Sequence, residues 1–142
     1  MTTRSHGGGP FGKAAAIDPS KKEGARLPKL FEGSPHVIVD LRIYTTRPGK
    51  LTAFLKLYKD HAWDLQQRYL GTCLGWYSTI EGPLNQVVHM WQYEDQADRE
   101  RRRAAMAADP GWAVYLRASE EAGLLVSQEN RFLRPTDFSP HR

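Results

Sequence analysis

Hydrophobic and polar positions alternate from residue 37 onward, with Val37, Val39, Leu41 and Ile43 on one side and Ile38, Asp40, Arg42 and Tyr44 on the other. This predicts a first strand starting at about His36. The period then lengthens. Leu51, Phe54, Leu55, Tyr58, Ala62, Leu65 and Tyr69 recur at spacings of three and four, so one helix is expected to open at Pro48 and Gly49 and to end at Gly71. Strands over about Cys73–Ile80 and Gln86–Tyr93 flank Glu81-Gly82-Pro83-Leu84, a turn short enough for an antiparallel hairpin. Asp95 stands where it can cap a helix over Gln96–Ala108. Asp109 caps and Pro110 starts a short third helix carrying Trp112, Tyr115 and Leu116, and Leu124–Leu133 alternates as a fourth strand.

The order β-α-β-β-α-(α)-β is the split arrangement of an α+β ferredoxin-like fold, in which helices cover one face of a four-stranded antiparallel sheet. Its other face needs a partner. If Val39, Leu41, Ile43, Val88 and Met90 pack under the helices, the free face carries Arg42, Tyr44, Trp76, His89, Trp91 and Tyr93. So aromatic a surface is costly to leave in water, and two such sheets can close face to face into one barrel.

Several motifs occur together. Asp40-Leu41-Arg42-Ile43-Tyr44-Thr45 is followed by Arg47-Pro48-Gly49-Lys50-Leu51, and a strand with Trp91 and Tyr93 leads into a helix with Arg99 and Arg103. Then come Asp109-Pro110-Gly111-Trp112, Gln128-Glu129-Asn130-Arg131 and Pro135-Thr136-Asp137-Phe138-Ser139-Pro140. In this order the motifs resemble the NIPSNAP family over about the last three quarters of the chain. The resemblance implies a homodimeric α+β barrel, with Arg99 or Arg103 in a buried ion pair, and implies a fold more firmly than a reaction.

Length and composition refine this picture. The 142 residues suit one folded domain, expected over 36–135 between a flexible tail, 1–35, and a short C-terminal tail, 136–142. The first 35 residues hold six glycines and four prolines without a helical or strand period. Leu27, Leu30 and Phe31 are the apolar exception there and offer a docking peptide for the domain, a second subunit or a protein partner. The formal charge is +4, but six of the 20 Lys/Arg and three of the 16 Asp/Glu lie in that tail, leaving 14 basic and 13 acidic residues beyond it. Such a balanced body is a poor footprint for nucleic acid or anionic lipid, so neither is expected as a partner. The single cysteine, Cys73, reads as a buried thiol. No apolar run reaches the roughly 20 residues of a membrane span, and no secretory signal opens the chain, so a cytoplasmic location is expected.

Chemistry, if any, is expected from the barrel interior, where aromatics with a few polar groups suit a small apolar or aromatic ligand. Arg42 and Tyr44, two apart on one strand, offer a cation and a phenol for a carboxylate, enolate or phenolate; alternatively Arg42 pairs with Glu129 and closes the dimer. His89 reads as a general base, an axial haem ligand or a satisfied core histidine. Trp112 reads as helix core. No two histidines have metal-ligand spacing, and no phosphate loop, nucleophile elbow or Cys-x-x-Cys pair occurs, so no metal and no cofactor is expected, haem aside. Three readings follow: a small-molecule-binding barrel, a cofactor-independent monooxygenase or isomerase (or haem-handling enzyme) of the same barrel type, and a protein-interaction module.

Overall fold

In a computed structural model, residues 37–140 are described. The expected tail at 1–35, with Leu27, Leu30 and Phe31, falls outside them, as do His36 and His141. Eight elements follow in order: β1 Ile38–Thr46, α1 Leu51–His61, α2 Trp63–Tyr69, β2 Thr72–Ser78, β3 Gln86–Tyr93, α3 Gln96–Ala108, α4 Pro110–Ala122 and β4 Leu125–Leu133. The strands form one antiparallel sheet in the order β2-β3-β1-β4. This is the ferredoxin-like α+β arrangement.

Local chemistry sets most boundaries. The carboxylate of Asp95 accepts from Asp98 N at 2.7 Å and starts α3, while Asp109 accepts from Gly111 N at 2.8 Å and starts α4 with Pro110 in its first turn. Gly123, at φ 57°, closes α4, which reaches 13 residues rather than the short helix expected.

The first helical stretch differs from expectation in three ways. Gly49 has φ 75°, which no α-helix accommodates, so Pro48 and Gly49 form the preceding turn and α1 begins at Leu51. Ala62, at φ −113°, interrupts the expected single helix and divides it into α1 and α2, although Ala62 N still donates to Tyr58 O and Gln66 N to Ala62 O. Gly71 follows the helix without a left-handed φ. Its requirement is close approach, since a Cβ there would fall 1.9 Å from Gln92 O of β3.

The faces of the sheet are the reverse of the expected ones. Across the strands, Tyr44 pairs with Val87, Arg42 with His89, Asp40 with Trp91, and Trp76 with His89. This set lies beneath the helices: Tyr44 meets Phe54 of α1 edge-on at 6.1 Å, and Trp91 meets Trp63 of α2 at 6.3 Å. Val87, His89, Trp91 and Tyr93 are accordingly buried. The opposite face carries Val39, Leu41, Ile43, Val88 and Met90, and none of the five belongs to the clusters packed under the helices. Alternation identifies which residues share a face but not which face the helices cover. Phe54, Tyr58, Trp63, Trp112 and Tyr115 supply aromatic partners, and the larger aromatic side chains of the sheet bury more area against them.

Candidate functional site

Between the sheet and the helices lies a cavity of about 440 Å³. Its inner walls come from Arg42 and Tyr44 of β1, Tyr58 of α1, Gln66 of α2, Arg103 of α3 and Tyr115 of α4. Trp112 adds a further aromatic wall, and exposed Leu116, Glu120 and Gln128 put the mouth between α4 and β4. The cavity is therefore framed by the sheet and all four helices of a single chain. It does not lie on the open face of the sheet, where a ligand within a closed pair of sheets would be expected.

Behind its polar wall stands Asp40, which is completely buried and holds Arg42 in place. One carboxylate oxygen, Oδ2, accepts from Arg99 Nε at 2.8 Å and Arg42 Nε at 3.2 Å. Arg42 Nη1 then donates to Tyr44 Oη at 2.8 Å, so the cation and the phenol act as one rigid unit. Burial lowers the Arg42 pKa, but Tyr44 and Asp40 outweigh burial and leave it raised. Arg103, one turn beyond Arg99 on α3, is half-buried, and its pKa is lowered by burial and by the charges of Arg42 and Arg99. Among the described residues no carboxylate stands within salt-bridge distance of Arg103. Burial, with neighbouring Tyr44, pushes Tyr58 well up and Tyr115 up to about 12, so both phenols remain O–H donors at physiological pH. Tyr58 Oη and Gln66 Oε1 are buried without a hydrogen-bond partner.

Of the six side chains expected to contact a ligand, Arg42 and Tyr44 line the cavity. The other four lie elsewhere. His89 is fully buried, its ring stacked on Trp76 at 3.9 Å and met edge-on by Tyr44 at 4.9 Å. Trp91 and Tyr93 belong to the core around Leu70 and Met106, and Trp76 lines a shallow apolar groove with Leu55, Tyr58, Lys59 and Trp63.

The general-base and haem-ligand readings of His89 both meet physical objections. Trp91 Nε1, which can only donate, gives its hydrogen to His89 Nδ1 at 2.9 Å, so the imidazole proton must sit on Nε2. Neither nitrogen then offers a free lone pair. Burial, reinforced by the charge of Arg42, lowers the histidine pKa from 6.5 to about 3. The ring's enclosure between Trp76 and Tyr44 leaves no room for a macrocycle, so the residues present do not fit haem.

Glu129 accepts from Arg131 on its own strand at 2.6 Å, and Arg42 pairs with Asp40 instead. Glu129 lies on the open face opposite Ile43, whereas Arg42 points beneath the helices. Arg101 and Arg102 both pair with Asp98, and no group of acids, histidines or cysteines suited to a metal ion occurs among the described residues. No helix among them is long and apolar enough to cross a membrane. Tyr58 and Gln66 were not anticipated as cavity residues, because Tyr58 falls in the apolar stripe of a helix and reads as core. Asp40 did carry a signal: an acid in a buried strand, two residues from an arginine on the same face.

Comparison with known proteins places the chain in a family. The NIPSNAP family model matches residues 39–140, and the chain belongs to the NIPSNAP family. Among solved structures, an uncharacterized NIPSNAP-like domain protein from Burkholderia xenovorans is 43% identical, with a TM-score of 0.69 over 75% of this chain and 90% of that one. A NIPSNAP family protein from Agrobacterium tumefaciens is likewise 43% identical, with a TM-score of 0.70 over 75% of this chain and 100% of that one. The Pongo abelii protein NipSnap homolog 3A is 29% identical over 60% of this chain but only 33% of its own length, so the match spans about a third of that relative. More distantly, SnoaB, a cofactor-independent oxygenase from Streptomyces nogalater, shares the fold at 15% identity and a TM-score of 0.54, covering 75% of this chain and 99% of that one.

Proposed function

We propose that this NIPSNAP protein is a homodimer in which each protomer binds a small aromatic molecule in the cavity between sheet and helices. The cavity itself carries the proposal. Its volume lies in the range of small-molecule sites, and its walls combine three phenols and an indole with two guanidinium groups. Aromatic walls bind a planar ligand by area, while a few fixed polar groups orient it. Support for the dimer is separate: Leu41, Ile43, Val88 and Met90 make a continuous apolar row on the sheet face without helices, flanked by exposed Tyr77 and Leu133. A second copy of that face is its natural cover.

Catalysis without a cofactor is the second reading. The Arg42–Tyr44 unit favours it, because a cation holding a phenol at 2.8 Å can stabilise an enolate or phenolate formed on a bound aromatic molecule. The fold shared with SnoaB is consistent with this reading but assigns no residue a role. Native mass spectrometry of gently purified protein tests the main reading. A dimer carrying added small-molecule mass is expected, with that mass lost on filling the cavity by Ser119→Trp. A stable monomer contradicts the dimer, and retention of the mass by the filled variant contradicts the cavity.

A further inference from the structure

Charge around the cavity does not balance. Arg42 and Arg103 line it, and the buried carboxylate nearest them, Asp40, lies behind the wall with its Oδ2 already serving both Arg42 and Arg99. The nearby acids are otherwise engaged or remote. Asp98 is held by Arg101 and Arg102, Glu129 by Arg131, and Glu120 is exposed at the mouth beyond salt-bridge distance from Arg103. Arg103 is thus a half-buried guanidinium lining a cavity, with no ion pair or hydrogen bond to a described residue. A charge removed from water without a counter-charge is destabilising, and a fold keeps such a group where it has another use.

A second observation is independent of charge. Tyr58, only 3% exposed, lines the same cavity and ends in a hydroxyl that meets no partner. Its raised pKa keeps the proton on that oxygen, so it remains a donor. A fixed cation and a buried O–H donor together are the complement of an oxyanion.

We propose that the ligand is an aromatic acid whose anionic group sits against Arg103 and Arg42, within reach of the Tyr58 hydroxyl, and whose ring lies on Trp112 and Tyr115. This rests on the reading of the cavity as the ligand site and adds the chemical class. Neutral aromatics of the same shape leave the Arg103 charge unanswered and bind less well. An aliphatic acid loses the aromatic walls.

The probes are 2-naphthoate and 2-naphthamide, alike in shape and different in charge, titrated by calorimetry into the full chain and into Arg103→Met and Arg103→Lys. The wild-type protein is expected to bind the acid about tenfold more tightly than the amide or better. Arg103→Met should erase that preference and Arg103→Lys should retain part of it. In low salt without ligand, Arg103→Met should melt no lower than wild type, because it removes an unanswered charge; an arginine serving only structure would lower the melting temperature when lost. Equal affinity for acid and amide, or a preference that survives Arg103→Met, overturns the inference while leaving the cavity as a binding site. Failure of both probes to bind overturns the cavity reading with it.

Discussion

The Trp91 indole donates to Nδ1 of His89 at 2.9 Å, and this one bond decides what the histidine can do. It places the imidazole proton on Nε2 and, inside a ring-lined core, holds the side chain neutral. The folded pKa of about 3 lies below the ordinary value of 6.5, so between these values the unfolded chain binds the proton and the folded one does not. Stability is complete above pH 6.5 and falls as pH drops toward 3. At pH 5 the loss from this group is about 2 kcal/mol. Urea unfolding at pH 7 and pH 5 should show it, with the loss markedly smaller in His89→Gln; equal losses in the two proteins would remove His89 as the cause.

Asp40 should be the most sensitive polar position. It is wholly buried and holds Arg42 and Arg99 at 3.2 and 2.8 Å, so Asp40→Asn leaves two guanidinium groups without their counter-charge. We expect a destabilisation of about 3–5 kcal/mol. Adding Arg99→Met should recover part of it. A denaturation midpoint within experimental error of wild type for Asp40→Asn would mean that the cluster is not electrostatically coupled.

Two glycines separate crowding from backbone conformation. At Gly71 an added Cβ would meet Gln92 O, so Gly71→Ala must push β3 from the end of α2 and should cost about 1–3 kcal/mol. At Gly49 nothing lies within 4 Å, and only the φ of 75° resists substitution, so Gly49→Ala should cost about 1–2 kcal/mol. A second substitution at each site tells the two causes apart. Gly71→Ser should be worse than Gly71→Ala, whereas Gly49→Asn, which tolerates a left-handed backbone, should be milder than Gly49→Ala. Guanidinium chloride midpoints at unchanged slope provide the check.

The open sheet face predicts its own failure. Leu41 and Met90 are cross-strand neighbours at its centre, so Leu41→Glu or Met90→Lys places a charge where the second sheet would close. Sedimentation should report a folded monomer for either variant and a dimer for the wild-type chain. A dimer that persists in both variants would locate the association elsewhere.

Much of the fold was legible in the sequence because local chemistry dominates there. Asp95, Asp109 and Pro110 mark two helix starts, and period-two alternation marks β1 and β3, whose residues appear on the expected strands. The orientation of the sheet was not legible, since Val39, Leu41 and Ile43 look as suited to a core as Tyr44, Trp91 and Tyr93. Their fate depends on which residues the helices bring, which is a tertiary property. The site suffered from the same ambiguity: Arg42 and Tyr44 were recognisable as a pair, but their counterparts Tyr58, Gln66 and Arg103 come from three different helices. Ala62 interrupts the first helical stretch without any proline or glycine to announce it.

A crystal structure with 2-naphthoate bound locates the ligand directly. Its carboxylate is expected against Arg103 and Arg42 and its rings against the contiguous faces of Trp112 and Tyr115, beneath the helices of a single chain. Density for the ligand on the open face beside Leu41 and Met90, with the cavity under the helices left without it, would rule out the cavity as the binding site.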